Sequence, residues 1–105
     1  MPRRAAPLVA LLACVPAVAA AEPPLERQAE LRHLLLQDCG SCHGLTLKGG
    51  LGPALLPSAL EGKDARALAE VVLRGVPGTP MPPWAGELDE EDARWLAALL
   101  KGGVR

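Results

Sequence analysis

Apolar residues recur at helical spacing in three places along the chain, and glycine and proline separate them. From Leu25 to Asp38 there is neither Gly nor Pro, and Leu31, Leu34, Leu35 and Asp38 fall three and four apart. Leu25 and Ala29 extend that stripe, so the spacing predicts a helix that ends near Cys39-Gly40. Pro23-Pro24 suits its first turn, where amide donors have no helical partner. From Gly44 to Gly62 the chain reads as an irregular connection built on Gly49-Gly50, Gly52-Pro53 and Pro57. Helical spacing returns from Asp64 to Arg74 through Leu68, Val71 and Val72, with Gly75 as the stop. Val76 to Gly86 carries too many prolines to be regular. The last helix has Asp89 as cap and Glu90, Glu91 and Asp92 in its positive first turn. Leu96, Leu99 and Leu100 follow, and Lys101-Gly102 closes it. No segment alternates as a strand does. The class is all-α, small and rich in loops.

The N-terminal pattern is of another kind. Met1-Pro2-Arg3-Arg4 is short and basic, Ala5 to Ala20 is apolar and uncharged, and Ala19-Ala20-Ala21 precedes Glu22. This is the layout of a secretory signal peptide, which predicts residues 1–21 as a cleaved leader and 22–105 as one domain. As a membrane span the run is marginal against the roughly 17–25 residues a span needs, and Pro7 and Pro16 interrupt it. A rival reading takes Leu11-Leu12-Ala13-Cys14 as a lipoprotein site with Cys14 acylated.

Cleavage changes the charge and the size. Of eleven basic residues Arg3 and Arg4 leave with the leader, so nine face twelve acidic ones, a net charge near −3. No basic stripe remains to neutralise phosphates, which argues against nucleic acid as a partner. The 84 residues left after Ala21 hold two Trp and no Phe or Tyr. A core so short of bulk, near the roughly 70–80 residues below which domains need a staple, needs something else to fill it.

Cys39-Gly40-Ser41-Cys42-His43 supplies it. The C-x-x-C-H spacing is that of c-type haem attachment. Two thiols about one helical turn apart can each add to a haem vinyl group, and the next imidazole then meets the iron from one face. A thioredoxin-like C-x-x-C wants a βαβ context, which is missing. Zinc wants four ligands, and beyond these three only His33 is on offer. His33 lies beside Arg32 on the first helix, where a solvated role fits better. For the sixth iron position Met81 is the one methionine on offer, because Met1 is initiating or removed. Its rival role is to fill a gap in the core. His33, only ten residues before His43 on the same side of the attachment turn, is the fallback ligand. Met81 sits in Gly78-Thr79-Pro80-Met81-Pro82-Pro83-Trp84, where prolines narrow the backbone's choices and suit it to holding a thioether opposite His43. Trp84 either packs on the haem edge or anchors this loop. The run Glu87, Asp89, Glu90, Glu91, Asp92 is a helix start interacting with its own dipole, or a docking face.

On these motifs the chain resembles the small class I cytochromes c over the whole of residues 22–105. Cys39 to Gly44 matches their attachment motif, and Gly78-Thr79-Pro80-Met81-Pro82 their methionine loop. Gly52-Pro53-Ala54-Leu55 is similar to their G-P-x-L segment, and the resemblance implies that the Pro53 carbonyl orients His43. It also implies their fold, three or so helices and long loops wrapped around one covalent haem c. The family's glycine and aromatic, eight and four residues before the first Cys, are Leu31 and Leu35 here. Leu99 stands for the facing aromatic, with Trp95 on a flank. The glycine-rich run Gly44 to Leu55, with Val76 to Trp84, resembles more narrowly the short c-55X type cytochromes that accompany the cytochrome cd nitrite reductase of denitrifying bacteria. That resemblance implies a monomeric periplasmic electron carrier with no enzyme activity and no membrane span once mature. Redox proteins would be its partners, the nitrite reductase among them. Two alternatives stay open: an accessory factor in maturation of the reductase's special haem, and a haem-based ligand sensor.

Overall fold

The computed structural model describes residues 2–13 and 22–104. Cys14 and the expected cleavage point after Ala21 lie outside the described residues. Those described form helices and loops without a strand, and no helix among them is long and apolar enough to cross a membrane.

Helix α1 runs Leu25–Leu34 and passes without a break into a π-helical turn, Leu35–Cys39, and a last α-turn, α2, Gly40–His43. The Pro23 and Pro24 carbonyls accept from the side chain and backbone of Gln28 at its start, at 2.8 and 2.9 Å. The helical path therefore outruns the expected end at Cys39-Gly40 and carries both cysteines and His43. Gly40 does not stop it because its φ is −62°, the ordinary right-handed value. Gly44, at φ 95°, does stop it. The apolar stripe is also shorter than expected. Leu31 and Leu35 are buried and Leu34 half-buried, but Leu25 is 82% exposed, and Ala29 and Asp38 also face solvent.

The connection after His43 contains one short helix that the spacing did not signal, α3, Pro57–Leu60, which opens on a proline and buries Leu60 against the last helix. Helix α4, Ala65–Arg74, begins where the Asp64 carboxylate accepts from the Arg66 amide at 3.3 Å and ends at Gly75, φ 67°. Its inner face is Ala69 and Leu73, flanked by half-buried Leu68 and Val72; Val71 turns outward. Helix α5, Glu90–Gly102, packs along α4 and crosses α1. Asp89 and Asp92 close a capping box at its start, each carboxylate accepting from the other's amide, at 2.7 and 3.2 Å.

The buried core holds only leucine and alanine: Leu31, Leu35, Leu47, Leu60, Ala69, Leu73, Leu88, Ala93, Leu96, Ala97 and Leu100. Trp84, Trp95 and Leu99 lie at its margin, half-buried, and Arg32 covers the Trp95 ring at 5.6 Å. Leu31 on α1 and Leu35 on the π-turn, both buried, occupy the positions where the resemblance predicts glycine and an aromatic, and α5 contributes the fully buried Ala93 and Ala97 to the same core. Leu47 is the strained member of the core. Its φ of 60° costs a branched residue about 1–2 kcal/mol. Burial of its side chain to 5% exposure returns about 1.5–3 kcal/mol, so burial wins.

Candidate functional site: the C-x-x-C-H turn and the methionine loop

The continuous helical path from α1 through α2 places Cys39, Cys42 and His43 on one turn and a half. Both cysteines are free thiols, each half-buried. Burial, and after it the negative charge of Asp38, pushes the Cys39 thiol up to about 11, so it stays protonated. The Ser41 hydroxyl donates to the Asp38 carbonyl at 2.7 Å and ties the turn from outside.

His43 is held by the glycine-rich connection. Its Nδ1 lies 2.7 Å from the Pro53 carbonyl oxygen. That oxygen can only accept, so Nδ1 carries the proton and Nε2 is left with its lone pair. The loop around it is laced to the same turn: Gly49 donates to the His43 carbonyl and Gly52 to the Cys42 carbonyl, both at 2.8 Å. Gly52 does more than bend the chain. A Cβ there would stand 2.8 Å from Cε1 and Nδ1 of the imidazole, so the bare backbone forms the wall against which the ring lies. Spacing alone gave no sign of this contact; the G-P pair drew attention to Pro53 only. The variant Gly52→Ala is expected to displace the ring and break the bond to Pro53. The ratio of haem absorbance to polypeptide in the exported product, compared with wild type, should then fall.

Met81 lies on a separate element, the proline-rich segment between α4 and α5, and is half-buried. Among the described residues no hydrogen bond joins it to the Cys39–Pro53 group. The segment is anchored at its far end, where Trp84 donates to the Val72 carbonyl and Ala85 to that of Leu73. Trp84 is half-buried against the core, as an anchor should be. His33 is exposed on α1, away from any cluster of metal-binding side chains among the described residues. The acidic run is mostly engaged within the fold. Asp89 and Asp92 cap α5, Asp92 pairs with Arg27, and Glu90 pairs with Arg94, which favours the helix-start reading.

This arrangement has close counterparts. The family described as cytochrome C oxidase, cbb3-type, subunit III matches residues 26–100, a span that takes in the thiols, His43, Pro53 and Met81. A cytochrome c55X of Pseudomonas aeruginosa is 60% identical over 99 residues, covering 92% of this chain and 83% of its own length. The chain belongs to the cytochrome c55X family. A solved structure titled c-type cytochrome NirC is 64% identical, covers 77% of this chain and 95% of its own, and superposes with a TM-score of 0.76. A dihydro-heme d1 dehydrogenase of Pseudomonas aeruginosa is 43% identical over 67 residues, 64% of this chain but 14% of that much longer protein. Family membership implies a covalently bound haem c. The residues present suit one: two unpaired thiols a helical turn apart, an imidazole with one nitrogen fixed and the other free, and a core without a buried aromatic ring.

Proposed function

We propose that residues 22–105, exported to the periplasm after loss of the leader, form a monomeric one-electron carrier that serves nitrite respiration. Cys39 and Cys42 would hold one haem c, with His43 and Met81 as the axial ligands of its iron. The observation that carries this reading is the 2.7 Å contact between His43 Nδ1 and the Pro53 carbonyl. A donor at Nδ1 holds the ring in one orientation and leaves Nε2 for the metal. When bound, the haem supplies an iron that moves between two oxidation states; the polypeptide's part is to hold both axial positions closed. A carrier of this kind binds no substrate and makes no bond. The motif resemblance to the cytochromes that accompany cytochrome cd nitrite reductase supports that enzyme as the recipient of the electrons. A second reading, an accessory role in maturation of the reductase's haem, is favoured by the 67-residue similarity to a dihydro-heme d1 dehydrogenase. Loss of the gene would then lower the content of loaded reductase, whereas a pure carrier's loss would leave it unchanged.

The loading and the closed axial sites are tested together. Intact mass of the exported protein should equal residues 22–105 plus one haem, with no titratable thiol, and the reduced form should not bind carbon monoxide at neutral pH. A colourless product with two reactive thiols overturns the haem assignment. Carbon monoxide binding by a coloured product overturns Met81 as a standing ligand and brings the sensor reading forward.

A further inference from the structure

Between Gly75 and Trp84 the backbone has few donors to use. Pro77, Pro80, Pro82 and Pro83 have no N–H, which leaves Val76, Gly78, Thr79 and Met81. Three of these four are turned inward on the segment itself. Val76 N–H reaches the Met81 carbonyl at 3.2 Å and Thr79 N–H the Val76 carbonyl at 3.1 Å. The Met81 amide goes instead to a side chain, the Thr79 hydroxyl, at 3.3 Å. That hydroxyl passes its own proton to the Val76 carbonyl at 2.7 Å. Thr79 Oγ1 thus bolts together the two ends of a closed turn whose last residue is Met81. The turn is also pressed against the end of α4. A Cβ on Gly75 would stand 2.7 Å from the Met81 carbonyl oxygen and from the Pro82 carbonyl carbon, and 2.8 Å from the Pro83 nitrogen. Gly75 further holds φ 67°, a value that side-chain-bearing residues resist.

We propose that Thr79 and Gly75 are positioning residues for the sixth ligand: together they fix the Met81 backbone so that its flexible thioether has one place to be. This rests on the reading of Met81 as an axial ligand. Methionine has three rotatable side-chain bonds and pays entropy to be held anywhere. A backbone closed by the Thr79 hydroxyl and seated on Gly75 removes the remaining freedom in advance, and so keeps the fraction of molecules with an open iron small. An external ligand reports that fraction directly, because its apparent affinity scales with the open population.

The experiment is an imidazole titration of the ferric, haem-loaded protein, with the far-red methionine-to-iron absorption recorded alongside. Thr79→Val is expected to bind imidazole about fivefold more tightly than wild type, equivalent to ~1 kcal/mol, and to weaken the far-red band. Thr79→Ser keeps the hydroxyl and should stay within about twofold of wild type, whereas Gly75→Ala should shift further than Thr79→Val. If Gly75→Ala does not fold, the Thr79 pair carries the test unaided. Equal affinity in wild type and Thr79→Val overturns the proposal, as does a Thr79→Ser shift as large as that of valine. Met81→Ala separates this from failure of the underlying reading. If it binds imidazole no more tightly than wild type, and wild type lacks the far-red band, then Met81 is not a ligand and the positioning role falls with it.

Discussion

Met81→His is expected to lower the reduction potential by on the order of 0.1 V, a part of the roughly 0.8 V that axial ligands span in haem proteins, and to abolish the methionine-to-iron absorption. The direction follows from ligand chemistry. A thioether is soft and uncharged and favours the electron-richer ferrous metal, whereas a second imidazole is the stronger σ-donor and favours the ferric one. The chain makes this test clean. The turn that presents Met81 is closed by bonds from Val76, Thr79 and the Met81 amide, none of which uses the methionine side chain, so the substitution leaves its scaffold in place. Met81→Ala is the companion: it opens the position, and its reduced form should bind carbon monoxide where wild type does not. Potentiometry on the two proteins distinguishes a ligand from a core filler. A packing methionine replaced by His would leave the potential and the far-red absorption where they were.

What could be read in advance, and what could not, divides along the range of the interactions. The three longer helices were legible in their spacing, and two of their ends are written locally: Asp89 as the cap of α5 and Gly75 as the positive-φ stop of α4. The C-x-x-C-H turn and Met81 stand out in the sequence as candidates because few residue types can do that chemistry. The glycine at position 40 misled, since glycine allows a helix end without requiring one, and at φ −62° Gly40 simply continues the path through a π-turn. The outer stripe of α1 misled as well. Helical spacing shows which residues share a face but not how far along the helix a neighbour extends, and the core reaches Leu31 and Leu35 but not Leu25. Other features had no signal in spacing. A leucine at φ 60° is chosen by the burial of Leu47, and Gly52 is bare because an imidazole from nine residues earlier lies against it. The pairing of Arg27 with Asp92 spans 65 residues, and in the sequence Asp92 read as one more acid in a helix's first turn.

That pairing gives the second large effect, in stability. Asp92 is buried to 5% exposure at the crossing of α1 and α5. The Arg27 guanidinium grips its carboxylate with two bonds, Nη2 to Oδ2 at 2.9 Å and Nε to Oδ1 at 3.3 Å, and also donates to the Glu87 carbonyl at 3.0 Å. The same carboxylate accepts from the Asp89 amide, so one group both starts α5 and ties it to α1. Burial draws its pKa upward, but the bonds from Arg27 and Asp89 outweigh burial and hold it below the ordinary 3.8. The charged form is therefore the one the fold prefers. Its contribution is complete at pH values above 3.8 and disappears as the pH falls through the lower folded-state value, because protons then bind the unfolded chain first. Asp92→Asn should cost about 2 kcal/mol at pH 7, the range for hydrogen bonds to a charged group, seen as a melting temperature lower by roughly 10 °C in a domain this small. The gap between variant and wild type should then narrow as the pH is taken below 3.8, since wild type loses on acidification what the variant already lacks. Adding Arg27→Gln to Asp92→Asn should cost less than the two single effects summed, as expected for partners in one contact. A gap independent of pH, or single effects that simply add, would show that the crossing is held by the leucine and alanine packing alone.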